Sequence, residues 1–186
     1  MDYIRLLRFS HIFSAVVRDV LETRLLREVC SYPLSLNQFH LLKVIAQDGD
    51  HHVGELAEVL GISTPAITKN IDRLEGFGLV SRTQAPDDRR STILSVGAPG
   101  RRIVVQYEEL KAARLYPILE RFDDEEITAF TEFLERLALA FLDLDPGNRR
   151  TCLRCAAYLS ADCSVGEARG GCPFIKDRDS VHGKGS

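Results

Sequence analysis

Apolar residues recur every three to four positions through nearly all of the first 145 residues, the period of a helix with one buried face. Residues 2–28 contain no Gly or Pro and scatter charge among Leu, Ile, Phe and Val, which predicts one long first helix, stopped at Tyr32-Pro33. Ser35 then caps a segment in which Leu36, Phe39, Leu42 and Ile45 fall at helical spacing. A short helix follows, with Leu56, Ala57 and Leu60 on one face. After Ile62, the stretch STPAITKNIDRLEGFG predicts a helix over 64–76. Ser63 or Thr64 caps it, Pro65 falls in the first turn where a missing N–H costs nothing, and Gly76 and Gly78 end it. Two helices separated by a tight turn make a helix-turn-helix. The pattern then changes to alternation, in LVSRT (79–83) and TILSV (92–96), around the polar loop QAPDDRRS. Two short strands with a charged loop add a wing, so residues 35–96 read as a winged helix-turn-helix in a mainly α chain.

Gly97 to Gly100, with Pro99, punctuate the chain before a second long helical pattern in which Pro117 is expected to introduce a kink. Asp123 and Glu126 have capping-box spacing, with Phe122 placed as a hydrophobic staple. Beyond them Ile127, Phe130, Leu134, Leu137, Phe141 and Leu144 step by three and four, a heptad seam that needs a surface to pack against. That surface is either the chain's own first helix or a second copy. Dimerisation through helices 2–28 and 100–145 is the preferred reading, because so small a winged domain leaves three long helices over.

The apolar fraction of 45% and charged fraction of 27% are those of a globular protein. No uninterrupted apolar run approaches a membrane span and no leader pattern is evident, so a cytoplasmic location without membrane contact is expected. The net charge of −3 conceals an uneven distribution. Residues 63–102 hold seven basic against four acidic side chains, a local +3, which leaves −6 to the remainder. A local basic patch is what phosphate binding needs. No nucleophile–base pair, phosphate-binding loop or paired carboxylate points to an enzyme. His11, His40 and His51-His52 read as ordinary polar or half-buried side chains, and Cys30 as a buried apolar residue rather than a sensor.

STPAITKNIDRLEGFGLVSRTQAPDDRRSTILSV resembles the MarR-type regulators: a recognition helix, the exit L-E-x-x-G-L-V-x-R, and an Asp-x-Arg pair in the wing. The resemblance covers residues 1–145 and implies a homodimeric transcription factor on a pseudo-palindromic stretch of double-stranded DNA. It implies that helix 64–76 enters the major groove with Ser63, Thr64, Pro65, Ala66, Thr68 and Lys69 at its exposed N-terminal part. Hydroxyls there reach base edges or phosphates, and an ammonium neutralises phosphate or meets guanine. Arg73, one turn beyond Lys69, would face the DNA backbone. In the wing, Asp88 would orient the loop, Arg90 would reach into the minor groove and Arg89 would contact phosphate. The resemblance also implies a small aromatic effector as a further partner, although no residue pattern singles out a pocket for one.

The tail departs from that family. Of five cysteines, Cys152, Cys155, Cys163 and Cys172 lie within 21 residues, spaced C-x2-C-x7-C-x8-C-P. Residues 146–175 therefore read as a metal-binding segment and 176–186 as a disordered tail. A reducing compartment disfavours a disulfide framework, and a thiol switch at Cys152-Cys155 leaves two cysteines unexplained. A structural zinc site is the alternative, but zinc ribbons present two C-x-x-C knuckles and only one is present. An iron–sulfur cluster tolerates looser spacing, Gly166, Gly170 and Gly171 would let backbone N–H groups approach the sulfides, and Cys172-Pro173 resembles the closing Cys-Pro of ferredoxin runs. A 4Fe–4S cluster is preferred over 2Fe–2S.

The expectation is thus a regulator, a repressor, whose DNA affinity follows a cluster sensing redox state, oxygen, iron or nitric oxide. Two rivals stand beside it. One is a regulator responding to a small aromatic effector with a structural zinc tail; the other is an electron-transfer protein with a vestigial winged domain.

Overall fold

The first helix begins where its sequence pattern places it but changes register on the way. The computed structural model describes residues 2–47, 51–60, 62–84, 92–144 and 164–165. Asp2 caps α1 (Tyr3–Val16) by accepting from the Arg5 N–H at 3.1 Å. A π-helical stretch (Val17–Arg24) follows and returns to α2 (Leu25–Val29). The wider i→i+5 register is a local departure from the α-helical ladder. Leu25 and Leu26 are buried, whereas no residue of α1 is. The chain carries no Gly or Pro between 17 and 24 to signal this change.

Ser35 caps α3 (Leu36–Ile45) as expected, and Gln38 completes a capping box beyond that expectation; the helix is buried from Gln38 onward. β1 (His51–His52) and α4 (Val53–Leu60) lead to α5 (Thr64–Gly76). β2 (Val80–Gln84) and β3 (Thr92–Val96) pair antiparallel, Val80 opposite Val96 and Gln84 opposite Thr92. β1 adds to the outer edge of β3, giving the order β1-β3-β2. That third strand differs from the sequence expectation: His51 and His52 are paired backbone, not simply polar loop residues. Phe39, Leu42, Ile67, Ile71, Leu74, Leu79 and Leu94 form the centre of the core, each essentially inaccessible. Burial of each such side chain favours folding by roughly 1.5–3 kcal/mol.

Helix α5 ends in a Schellman motif. Leu79 N–H donates to the Leu74 carbonyl at 3.0 Å and Gly78 N–H to the Glu75 carbonyl at 2.8 Å, with Leu74 and Leu79 both buried. Gly78 supplies the left-handed residue, at φ 69°, while Gly76 is the last residue of the helix itself. The Gly97–Gly100 punctuation is a helix start: Gly97 caps α6 (Ala98–Leu119), which begins two residues before the expected position 100. Gly100 lets that first turn lie against the Gly78–Leu79 turn, since a Cβ there would stand 2.5 Å from the Leu79 carbonyl oxygen. Gly78→Ala is therefore expected to cost about 1–2 kcal/mol through backbone strain. Gly100→Ala should cost about 1–3 kcal/mol through overpacking. Chemical denaturation of the two variants checks both values.

Pro117 falls in the last turn of α6, two residues from its end. α7 (Asp124–Leu142) opens with the expected capping box: Asp123 accepts from Glu126 N–H at 2.8 Å and Glu126 from Asp123 N–H at 3.1 Å. Tyr107 of α6 joins the winged domain to the first helix, its ring edge-on to Phe39 and its hydroxyl donating to the Leu21 carbonyl at 2.9 Å. Lys43 reaches from α3 to pair with Glu108, which also pairs with Lys111. Burial pushes the Lys43 ammonium below its ordinary range. Burial acts on Glu108 in the opposite sense, but the Lys111 and Lys43 ammonium groups outweigh it and hold that carboxyl low. Among the described residues no helix is long and apolar enough to cross a membrane.

Candidate nucleic-acid interface

The two faces of α5 are sharply different. Ile67, Ile71 and Leu74, at helical spacing, are fully buried on one side. Ser63, Thr64, Pro65, Ala66, Lys69 and Arg73 are exposed, and Pro65, Lys69 and Arg73 recur every four residues opposite that buried stripe. Thr68 is half-buried at the flank, closer to the core than the others. Ser63 occupies the cap position without a side-chain cap hydrogen bond, which leaves its hydroxyl available to a ligand. Among the described residues Lys69 makes no ion pair. The Arg73 guanidinium lies 5.8 Å from the centre of the Phe77 ring, a cation–π contact that steadies it.

Arg82 has a different task from the other basic residues of this segment. Its guanidinium reaches back from β2 to Asp72, at 2.6 Å, and to Glu75. Two carboxylates of α5 are thereby clamped to the first wing strand, and that charge is neutralised inside the protein rather than by phosphate. Asp72, Glu75 and Arg82 set aside, six basic residues face two carboxylates in the segment 63–102, a local +4. Space divides that charge further. Arg101 and Arg102 are exposed at the start of α6, which follows the end of the β2–β3 pair where Val80 stands opposite Val96. Asp88, Arg89 and Arg90 lie outside the described residues, as do Cys152, Cys155, Cys163, Cys172 and the tail 176–186.

Other chemistry-bearing side chains are set in the core. Cys30 is buried, its thiol donating to the Tyr32 carbonyl at 3.5 Å. Burial pushes that thiol up, and a raised pKa lowers its thiolate fraction and reactivity. His40 is not half-buried, as its residue type and position suggest, but almost wholly enclosed, with Nε2 3.9 Å from the Glu22 carboxylate. Among the described residues no three His, Cys, Asp or Glu side chains gather as a metal site.

One feature has no signal in the sequence. A groove of about 1650 Å³ runs between α1, the start of α3 and α7, walled by Phe9, Phe13, Phe130, Phe133, Leu134 and Leu137. Phe13 and Phe130 meet edge to face at 5.7 Å. The heptad seam of α7 thus touches the chain's own first helix without being covered by it. Within α1 and α7, all of whose residues are described, none is buried, and Ile4, Phe9, Phe130 and Phe141 are half exposed or more.

Comparison with known proteins finds a match to the MarR family model over residues 34–92. An uncharacterised helix-turn-helix transcriptional regulator of Bacillus subtilis (strain 168), YsmB, is 31% identical over 112 residues, which cover 60% of this chain and 77% of that protein. Among solved structures, a MarR family protein from Bacillus stearothermophilus is similar with a TM-score of 0.58 at 27% identity, over 76% of this chain and 98% of the other. Streptococcus pneumoniae FabT in complex with DNA has the same fold, with a TM-score of 0.68 at 24% identity, over 77% of this chain and all of FabT (100%).

Proposed function

This chain belongs to the MarR family of DNA-binding transcriptional regulators, and on that premise we propose a homodimeric repressor whose operator affinity follows a cysteine-ligated iron–sulfur cluster. The observation that carries the DNA reading is the division of α5 into a buried apolar face and an exposed face bearing Pro65, Lys69 and Arg73. Such a helix, held at its base by the Arg82 clamp, fits a major groove. Ser63, Thr64 and Thr68 supply hydroxyls at the end that enters first, and Lys69 and Arg73 supply cations to guanine or phosphate. In the wing, Arg90 reads the minor groove while Asp88 and Arg89 orient and anchor the loop.

The exposed apolar faces of α1 and α7 support a second copy as partner. Paired terminal helices would set the distance between the two recognition helices, and half-sites one helical turn apart require about 34–36 Å. Sedimentation of the full chain and footprinting on duplexes from its own promoter region test this. We expect a dimer at micromolar concentration that protects two symmetry-related half-sites. A monomer without a footprint would contradict it.

The sensor reading is supported by donor chemistry. Four soft thiolates within 21 residues, one C-x-x-C among them, suit iron–sulfur ligation, and Cys152, Cys155, Cys163 and Cys172 would hold the cluster. Bound there, a cluster supplies a group that oxidant, oxygen, iron shortage or nitric oxide can alter. Cys152 follows the end of α7 by ten residues, so an event at the tail acts next to the helices that set the spacing of the recognition helices. A second reading has its own observation. The aromatic-lined groove would accept a small aromatic effector, and the tail would then hold a structural zinc.

A further inference from the structure

We propose that Gln38 is a positioning residue for DNA binding, its side-chain amide fixing the rotation of α5 against α3. The inference rests on the reading of α5 as the recognition helix. Three hydrogen bonds run in one direction across the two helices. The Ser35 backbone N–H donates to Gln38 Oε1 at 3.0 Å, and Gln38 Nε2 donates to Asn70 Oδ1 at 3.3 Å. Asn70 Nδ2 then donates to the Ala66 carbonyl at 3.1 Å. A backbone N–H only donates and a carbonyl only accepts, so each amide is oriented from its outer end. Neither can flip without losing a backbone partner.

Apart from the Arg82 clamp near its C-terminal end, α5 is held to the core by Ile67, Ile71 and Leu74. Apolar contact is non-directional and resists separation more than rotation. The amide chain is directional, and Gln38 is 8% exposed, so a broken bond there leaves polar groups poorly solvated. Its far end is the carbonyl of Ala66, in the turn that carries Pro65 and Lys69 to the DNA. Its near end is the first turn of α3, where Ser35, Leu36, Asn37 and His40 wall the groove between α1 and α7.

The cap and the bridge can be separated. In Gln38→Glu the carboxylate still accepts from the Ser35 N–H, as the acidic residue of a capping box does, but it cannot donate to Asn70 Oδ1. The charge at this buried position should also lower thermal stability, so binding is read well below the melting transition, where operator affinity should fall about three- to tenfold, the scale of one hydrogen bond. Asn70→Ala breaks the same bridge without adding charge, and its loss should be of similar size. The double variant should bind no more weakly than the weaker single variant, since both remove one interaction. Parent-like affinity of Gln38→Glu would overturn the proposal. So would losses that multiply in the double variant, because a charge effect and a direct Asn70 contact are independent. Lys69→Ala, measured alongside, isolates the premise: if it changes neither affinity nor salt dependence, the recognition-helix reading fails and the positioning role with it.

Discussion

Changing any one of Cys152, Cys155, Cys163 or Cys172 to Ser is expected to abolish the colour, iron and acid-labile sulfide of protein purified without oxygen. A serine hydroxyl is a hard, weakly acidic ligand and replaces a thiolate on iron poorly. In the proposed cluster four thiolates would share the irons, so loss of one would leave an open iron site to solvent and oxidant. Cys30→Ser should leave colour and metal content intact. That thiol is enclosed in the core, donates to the Tyr32 carbonyl, and is held in its protonated form by burial. The contrast between one silent and four bleaching substitutions separates a ligand set from a general requirement for reduced cysteine. Colourless parent protein with one zinc per chain would remove the cluster and leave the zinc reading.

The second large effect lies at the wing. Arg90→Ala should weaken operator binding by roughly 1–3 kcal/mol, the scale of a good groove contact. Lys69→Ala, if its exposed ammonium meets phosphate, should lower the slope of log affinity against log salt by about one unit. Arg82→Ala provides an informative third case. Its guanidinium is committed to Asp72 and Glu75, so its loss should act through the position of β2 on α5, with the salt slope little changed. Fluorescence anisotropy on one operator duplex at several salt concentrations reads all three. Unchanged affinity and slope in both Arg90→Ala and Lys69→Ala would contradict the interface.

The elements that periodicity and capping specify are legible in the amino-acid pattern itself. Helix 64–76 is found from Thr64 to Gly76, strand 92–96 from Thr92 to Val96, Ser35 caps α3, and the Asp123–Glu126 capping box forms with the residues expected of it. These signals are local: a cap, a turn residue and a repeat of apolar positions lie within one turn or two of the element they determine. The features that the pattern does not announce depend on partners distant in sequence. His51 and His52 become a strand because β3 offers an edge, not because two histidines favour extension. Gln38 and Asn70 are 32 residues apart, and nothing in either helix's pattern signals that they meet. Arg82 belongs to the basic segment by composition, yet its two carboxylate partners remove it from the phosphate-facing charge. The π-helical stretch lacks the Gly or Pro that marks most irregular helices. Composition concentrates positive charge in the segment 63–102, while among the described residues the fold divides it between α5 and the start of α6.

The dependence of DNA affinity on the tail is tested most directly by titrating one operator duplex with a single anaerobic preparation, before and after its metal is removed. Brown dimeric protein is expected, with an affinity that changes by about 5- to 150-fold on removal, the usual range of allosteric coupling. Superimposable isotherms for the metal-loaded and metal-free dimer would contradict it.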